Sequence, residues 1–282
     1  MRFDPSGTSR PFARWGRVSD VCHDDGMTTV AVLNQKGGVG KTTVALGLAS
    51  AAQAARRRVL VIDLDPQASS SWVLGVDPAA GDITAADVLD GRPLGDAIRS
   101  SSWSDCVDVV PAGSDLQDFE AGEAGRLAAA CSRSSELIDG YDAVLIDCPP
   151  SLGNLTTNAL AAARHALVVV EPSALGLRGI GGVADAIDDV WDSHNPDLEL
   201  SGVILNRVPA ISSEAERRVA ELQRIVGRQA IWKPAVPARV ILNQAVGERR
   251  PVHSYASRAS DPIEVFDKLW AKLRRTMKSS GR

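Results

Sequence analysis

A glycine-rich loop with two lysines constrains this chain more than any other feature. Residues 34–43 read NQKGGVGKTT, between an apolar run that predicts a strand and a segment with a helical pattern. The glycines let backbone N–H groups curl toward phosphate oxygens, and the start of a helix adds partial positive charge. Lys41 supplies a full charge for the β- and γ-phosphates, and the Thr42 hydroxyl is placed for Mg²⁺. The motif therefore predicts a phosphate-binding loop.

The remaining chain alternates between strand-like and helix-like segments. Strands are predicted at 29–33, 59–64, 106–110, 143–147, 166–171 and 200–206. Helices are predicted at 41–55, 115–130, 155–164, 175–191, 213–226 and 262–277, with two short helices within 72–104. Strands that are almost continuously Val, Ile and Leu are typical of parallel sheets buried on both faces. The pattern predicts an α/β fold of the P-loop NTPase type, with a single doubly wound, mostly parallel sheet flanked by helices.

Composition excludes several classes of protein. The chain has 282 residues, 44% hydrophobic and 23% charged, which favours a soluble globular protein. No apolar run approaches the roughly 18 residues of a membrane span, and the first residues lack the apolar core of a secretory signal. The cysteines are widely spaced and lack metal-ligand spacing, which predicts free thiols in a reducing cytoplasm. They are Cys22, Cys106, Cys131 and Cys148.

The strand pattern begins almost at Met27. Residues 1–26 have no apolar period, so we expect a disordered N-terminal extension there and a P-loop domain over 27–282. Two interpretations of the extension stay open. Either Met27 is the natural start, or the extension is a working arm whose basic and aromatic residues are Arg10, Phe12, Arg14, Trp15 and Arg17.

Two apolar runs end in aspartates. Asp63 and Asp65 share one side of a predicted strand, at the carboxyl end where open α/β sheets bind ligands. Asp147 follows four apolar residues, the pattern of a Walker B strand, and is predicted to hold Mg²⁺ through water. Cys148 comes next, as a reactive thiol beside the phosphates or as a packed side chain, and we favour packing.

The extra lysine, Lys36, makes KGGVGKTT the deviant form of the Walker A loop. With the DLDPQ run at 63–67, the sequence resembles the ParA/MinD group of ATPases, and within it the ParA (Soj-like) partition ATPases, from about Met27 to the C-terminal helix. The resemblance implies ATP and Mg²⁺ as cofactors. It also implies an ATP-sandwich homodimer in which Lys36 contacts the nucleotide of the partner subunit.

The resemblance also assigns the remaining site residues. The catalytic set is Lys36, Lys41 and Asp65, and Asp65 positions the attacking water. Nucleotide contacts come from Lys36, Gly37, Gly38, Val39, Gly40, Lys41, Thr42 and Thr43, with Asn206 and Pro237 at the adenine. The metal is held by Thr42, Asp63 and Asp147.

Charge is unevenly distributed along the chain. Residues 27–198 carry 11 Lys and Arg against 23 Asp and Glu, whereas residues 199–282 carry 16 against 8. The basic third suggests either a polyanion-binding surface or ordinary solvated helix faces. No helix-turn-helix motif is present, so any DNA contact should be sequence-independent. The candidate contacts are Arg217, Arg239, Arg249 and Arg250.

The resemblance thus implies a cytoplasmic, nucleoid-associated partition ATPase. Its ATP dimer binds DNA non-specifically and releases it after slow hydrolysis, which a ParB-like or other adaptor protein stimulates. The cargo would be a plasmid, a chromosome or another large assembly.

The alternative is a MinD-like, membrane-associated regulator of division-site placement, since the last helix carries an apolar stripe with basic flanks. Asp261, Glu264 and Asp267 on that helix would face anionic lipid, so we expect the helix to dock on the sheet instead.

Overall fold

A seven-stranded sheet organises the chain in a computed structural model that describes residues 29–279. The strands are β1 (Thr29–Leu33), β2 (Val59–Asp63), β3 (Arg99–Ser100), β4 (Val107–Val110), β5 (Ala143–Asp147), β6 (His165–Val170) and β7 (Glu199–Leu205). Their spatial order is β3-β4-β2-β5-β1-β6-β7. All neighbours pair in parallel except β3, which runs antiparallel to β4 at one edge. The predicted fold class is confirmed.

Helices cover both faces of the sheet. They are α1 (Lys41–Ala54), α2 (Ser69–Val73), α3 (Ala85–Leu89), α4 (Leu94–Ala97), α5 (Arg126–Arg133), α6 (Ser135–Ile138), α7 (Asn154–Ala162), α8 (Ala174–Arg178), α9 (Ile180–Ser193), α10 (Ser213–Val226), α11 (Val240–Gly247) and α12 (Ser260–Ser279). Short 3₁₀ segments occur at Ser114–Glu120, Arg228–Ala230 and Val252–Ala259.

The central strands are apolar because both of their faces are covered. Every residue of β1, β2 and β5 is buried, so their side chains enter two hydrophobic clusters, one on each face. Asp63 pairs in register with Asp147 at the carboxyl ends of β2 and β5. The order β2-β5-β1-β6 brings the ends of four strands to one edge, where open α/β sheets bind ligands.

Two helices expected from the sequence are wrong in detail. The helix expected over 115–130 is a 3₁₀ turn followed by α5, because Gly125 adopts a φ of +85° just before α5. The helix expected over 175–191 is divided at Gly179 into α8 and α9. The edge strand β3 and the helix α11 were not expected at all.

The last helix docks on the body of the protein, as expected. Phe266, Leu269 and Leu273 of its apolar stripe are fully buried and belong to the cluster that α1 covers. Ile263 and Val265 are partly buried and pack against the same cluster. Phe266 packs so closely on α1 that a Cβ at Gly47 would lie 2.2 Å from its ring. Residues 1–26 lie outside the described part of the chain.

Candidate functional site

The phosphate loop turns through two glycines in left-handed backbone. Gly38 has a φ of +77° and Gly40 a φ of +89°, values that L side chains rarely adopt. Gly40 is crowded as well, because a Cβ there would lie 2.1 Å from Asn206 Nδ2. Asn206 Nδ2 donates to the Val39 carbonyl at 2.7 Å. The residue that follows β7 therefore holds the curled loop in place.

The first turn of α1 faces the Walker B aspartate. Thr42 Oγ1 donates to Asp147 Oδ2 at 2.7 Å, and Ser70 Oγ donates to the same oxygen at 2.8 Å. Asp147 Oδ1 is buried and accepts no hydrogen bond within residues 29–279. A buried oxygen without a donor calls for a partner, and hydroxyl and carboxylate oxygens are ligands that Mg²⁺ prefers, together with phosphates and water. These residues therefore fit a Mg²⁺-bound triphosphate, with Lys41 buried beside them in the same turn.

Asp63 lies behind this pair and holds the chain that follows β2. Its Oδ2 accepts hydrogen bonds from the Ser71 N–H at 2.8 Å and the Ser71 hydroxyl at 2.7 Å. Its Oδ1 accepts from the Asp65 N–H at 3.1 Å. Both Asp63 oxygens thus accept hydrogen bonds from the protein, so Asp63 offers a metal no free oxygen, whereas Asp147 does.

The two buried aspartates lie close enough for their charges to repel each other. Burial raises the pKa of Asp63, and repulsion from Asp147 raises it further. Burial also raises the pKa of Asp147, while the hydrogen bonds from Thr42 and Ser70 and the charge of Lys41 act in the opposite direction. A cation at Asp147 would relieve this repulsion.

The other two charged residues of the predicted catalytic set are more accessible. Asp65 is half-buried just beyond the end of β2, and its Oδ1 accepts from the Gln67 N–H at 2.9 Å. Lys36 Nζ lies 3.9 Å from Glu171 Oε2, and its side chain is 31% exposed. The Lys36 N–H donates to Asn34 Oδ1 at 2.9 Å, so a buried asparagine sets the start of the loop.

A pocket beside the loop has the size and polarity for a base and ribose. It measures about 270 Å³, and its lining residues are Thr43, Asn206, Arg207, Ala238, Arg239, Leu242 and Asn243. Asn206 Oδ1 is buried without a hydrogen-bond donor in the described chain, which leaves an acceptor for an amino group. Pro237 is not among the lining residues, but it forms a bridge with Val208 and precedes Ala238 in the wall.

Sequence reasoning missed several members of this site. Ser70 and Ser71 gave no signal beyond a short serine run after 63–67, and Leu242 and Asn243 lie on the unexpected helix α11. Arg207 directly follows Asn206, and this position in the chain was the only sequence signal for it. Its backbone φ is +55°, which is unusual for a residue with a long side chain.

The four arginines predicted to contact DNA all have carboxylate neighbours. Arg239 Nη2 lies 2.8 Å from Asp261 Oδ2 and Arg249 Nη2 lies 2.7 Å from Asp77 Oδ2. Arg217 pairs with Glu214, and Arg250 lies 3.9 Å from Glu248. The side chains of Arg217 and Arg250 are the most exposed of the four, at 72% and 52%.

Cys148 is fully buried, and burial raises the pKa of its thiol, so it packs rather than reacts. Cys106 and Cys131 are free thiols, while Cys22 lies outside the described residues.

No helix in residues 29–279 has both the length and the apolar character needed to cross a bilayer.

Comparisons with known proteins agree with this geometry. The family model described as an AAA domain matches residues 27–200. The chain is 34% identical to the chromosome partitioning protein ParA of Myxococcus xanthus over 235 residues, which cover 80% of this chain and 81% of that protein. It is 32% identical to the sporulation initiation inhibitor protein Soj of Bacillus subtilis over 245 residues, which cover 84% and 94%.

Solved structures share the fold. Cobyrinic acid a,c-diamide synthase from Mycobacterium smegmatis, with a bound ATP analog and magnesium, is 30% identical with a TM-score of 0.75, covering 91% of this chain and 97% of that one. The cell division ATPase MinD of Pyrococcus furiosus is 26% identical with a TM-score of 0.70, covering 88% and 98%. The phosphate loop, the paired carboxylates and the similarity to these proteins over most of the chain lead to one conclusion: the chain belongs to the ParA/Soj family of chromosome-partitioning ATPases.

Proposed function

We propose that this chain is a Mg²⁺-dependent ATPase that dimerises on ATP, binds DNA without sequence preference and releases it after hydrolysis. One observation carries the ATPase part. Thr42 and Ser70 converge on one oxygen of Asp147, and the other oxygen is buried without a donor, directly beside Lys41 and the curled loop. Such an arrangement suits phosphoryl transfer, which needs positioning and charge neutralisation more than covalent chemistry.

Each residue has a separate task in this proposal. The loop N–H groups and Lys41 hold the phosphates, and Thr42 and Asp147 hold Mg²⁺, which neutralises phosphate charge when bound. Asp63 keeps Asp65 and α2 in place from behind. Asp65, at the accessible end of β2, orients the attacking water, and Asn206 accepts a hydrogen bond from the adenine amino group.

Dimerisation follows from the accessibility of Lys36. The Lys36–Glu171 ion pair is long, at 3.9 Å, and partly open to solvent, so it is worth only about 1 kcal/mol and the ammonium group exchanges partners at little cost. Two triphosphates facing each other repel strongly and need positive charge from both subunits. Lys36 of each subunit supplies it to the nucleotide of the other.

The DNA-binding part rests on charge. Residues 199–282 carry 16 Lys and Arg against 8 Asp and Glu. Arg217 and Arg250 are the exposed members of the four predicted contacts, and a dimer doubles their number. Arg239 also lines the pocket beside the loop, so a substitution there would affect both the pocket and the surface. In this proposal an adaptor protein of the ParB kind stimulates hydrolysis.

The deciding experiment measures binding to a random-sequence DNA duplex with ATP, with ADP and without nucleotide, over a series of salt concentrations. ATP-specific binding with a steep salt dependence supports the proposal, since phosphate contacts release counterions. Arg217→Ala combined with Arg250→Ala should weaken binding to all sequences alike, while Arg57→Ala, an exposed arginine paired with Asp142, serves as the control.

Equal binding with ATP and ADP would refute the nucleotide switch. If the protein binds no DNA with any nucleotide, the DNA part is wrong, and flotation with anionic vesicles then tests the membrane alternative. The burial of the α12 stripe argues against that alternative, because the helix has no free apolar face in the described structure.

A further inference from the structure

The helix α2 bridges the two buried aspartates of the nucleotide site. Ser70 donates to Asp147 and Ser71 donates to Asp63, with hydroxyl distances of 2.8 Å and 2.7 Å. Ser71 Oγ also accepts from the Ala112 N–H at 2.9 Å, which ties the helix to the end of β4. The helix has only five residues, and its N-cap residue Ala68 has a φ of +52° and makes no side-chain cap. A helix this short depends on tertiary contacts for its position.

Arg249 contacts Trp72, the residue that follows the two serines. The Arg249 guanidinium lies 4.9 Å from the centroid of the Trp72 ring, a cation–π distance. Arg249 Nε donates to the Trp72 carbonyl at 2.5 Å, and Nη2 donates to Asp77 Oδ2 at 2.7 Å. One side chain thus holds the ring of Trp72, the backbone carbonyl of Trp72 and the segment that follows α2.

The backbone of Arg249 is itself held in an unfavourable conformation. Its φ is +55°, left-handed backbone that a long side chain rarely adopts. Its carbonyl accepts from Trp103 Nε1 at 3.1 Å, and its N–H donates to the Val246 carbonyl at 3.1 Å. The surrounding structure therefore determines the direction of the side chain, and that direction is toward α2 rather than solvent.

We propose that Arg249 is a positioning residue of the ATPase site: it fixes α2 so that Ser70 and Ser71 orient the carboxylates of Asp147 and Asp63. The proposal rests on the proposed ATPase function, and it replaces DNA contact as the role of Arg249. Arg249 touches neither the loop nor the base pocket, so its effect reaches the metal side of the site only through α2.

Two substitutions separate this role from a general effect on folding. Arg249→Gly removes the side chain while suiting the left-handed backbone, so the fold is not strained by the change. Arg249→Lys keeps the charge near Asp77 but loses the planar group that stacks on Trp72 and donates to its carbonyl. Arg57→Ala is the matched control, because it removes another paired surface arginine, near Asp142, outside the site.

Binding and catalysis are measured on the full chain as the Kd for ADP without Mg²⁺, the Mg²⁺ concentration that half-saturates ATP hydrolysis, and kcat. Hydrogen exchange of the α2 amides is measured on the same proteins. For Arg249→Gly we expect faster exchange in α2, and a loss in Mg²⁺ half-saturation or kcat of about 10-fold, as for other residues that orient metal ligands. The Kd for ADP stays within about twofold of that of the parent protein, because the loop is untouched. Arg249→Lys should recover part of the loss.

Two results would overturn the proposal. One is unchanged α2 exchange and unchanged Mg²⁺ dependence in Arg249→Gly, with or without weaker DNA binding. The other is a parallel fall of ADP affinity, kcat and melting temperature, which marks a general structural role. If the parent protein hydrolyses no ATP, the proposed function fails, whereas the α2 exchange still tests the contact between Arg249 and the helix.

Discussion

Asp63, Asp65 and Asp147 have three different environments although all three lie at or just beyond the end of an apolar strand. Asp147 has one free buried oxygen, Asp63 has none, and Asp65 lies at the accessible rim. Of the three, only Asp65 is partly exposed to solvent. The proposed division of labour among the carboxylates therefore rests on their burial and on which donors surround each one.

Replacing Asp65 tests this division at the level of one residue. In Asp65→Ala we expect ATP hydrolysis to fall by about 100-fold or more while ATP binding persists, because removal of a water-orienting group affects the chemical step. Single-turnover hydrolysis and nucleotide binding are measured together, with the exposed Asp105→Ala as control. Normal turnover in Asp65→Ala would show that another group orients the water.

At the scale of secondary-structure elements, the contact between α1 and α12 makes the apolar stripe of the last helix part of the core. Gly47 gives α1 room for the Phe266 ring, which is completely buried. The stripe on α12 that suits a membrane surface by sequence is thus a core face. Since α1 begins at the phosphate loop, α12 supports the helix that carries Lys41 and Thr42.

Truncating Phe266 tests this packing. Phe266→Ala should lower the free energy of unfolding by about 3–5 kcal/mol, the usual cost of removing a buried aromatic ring. Leu175→Ala, at a position 63% exposed, should change it by less than about 0.5 kcal/mol. Urea unfolding measures both values. A small loss in Phe266→Ala, together with weaker ATP-dependent vesicle binding, would favour the membrane interpretation instead.

At the scale of the whole molecule, the proposed function assigns Lys36 to assembly of the ATP dimer rather than to binding of its own subunit's nucleotide. Lys36→Ala should bind ADP as the parent protein does, because Lys41 and the loop remain, but should not dimerise with ATP. Sedimentation with ATP and with ADP measures the oligomeric state. Glu171→Gln, which removes only the carboxylate near Lys36 Nζ, should still dimerise. An ATP dimer of normal stability in Lys36→Ala would rule out Lys36 as the interface lysine.

The α/β fold, the phosphate loop and the aspartates at the strand ends were all predictable from sequence. Each is a local signal: apolar runs of strand length, glycines before a helix, or a carboxylate directly after a buried strand. The prediction of one helix over 115–130 is wrong for a local reason as well, because Gly122 and Gly125 interrupt a pattern that is otherwise helical.

The sequence by itself determined that the phosphate loop, Asp63 and Asp147 lie at the carboxyl ends of the strands, because each directly follows or ends an apolar run. Tertiary structure alone decided what surrounds them. Arg249 and Asp77 are 172 residues apart, and Asp147 and Ser70 are 77 apart, so no periodicity links them. Whether an arginine is a free surface charge or holds a neighbouring helix in position depends on which carboxylates and aromatic rings the fold brings to it. Packing decides this, and the sequence pattern does not.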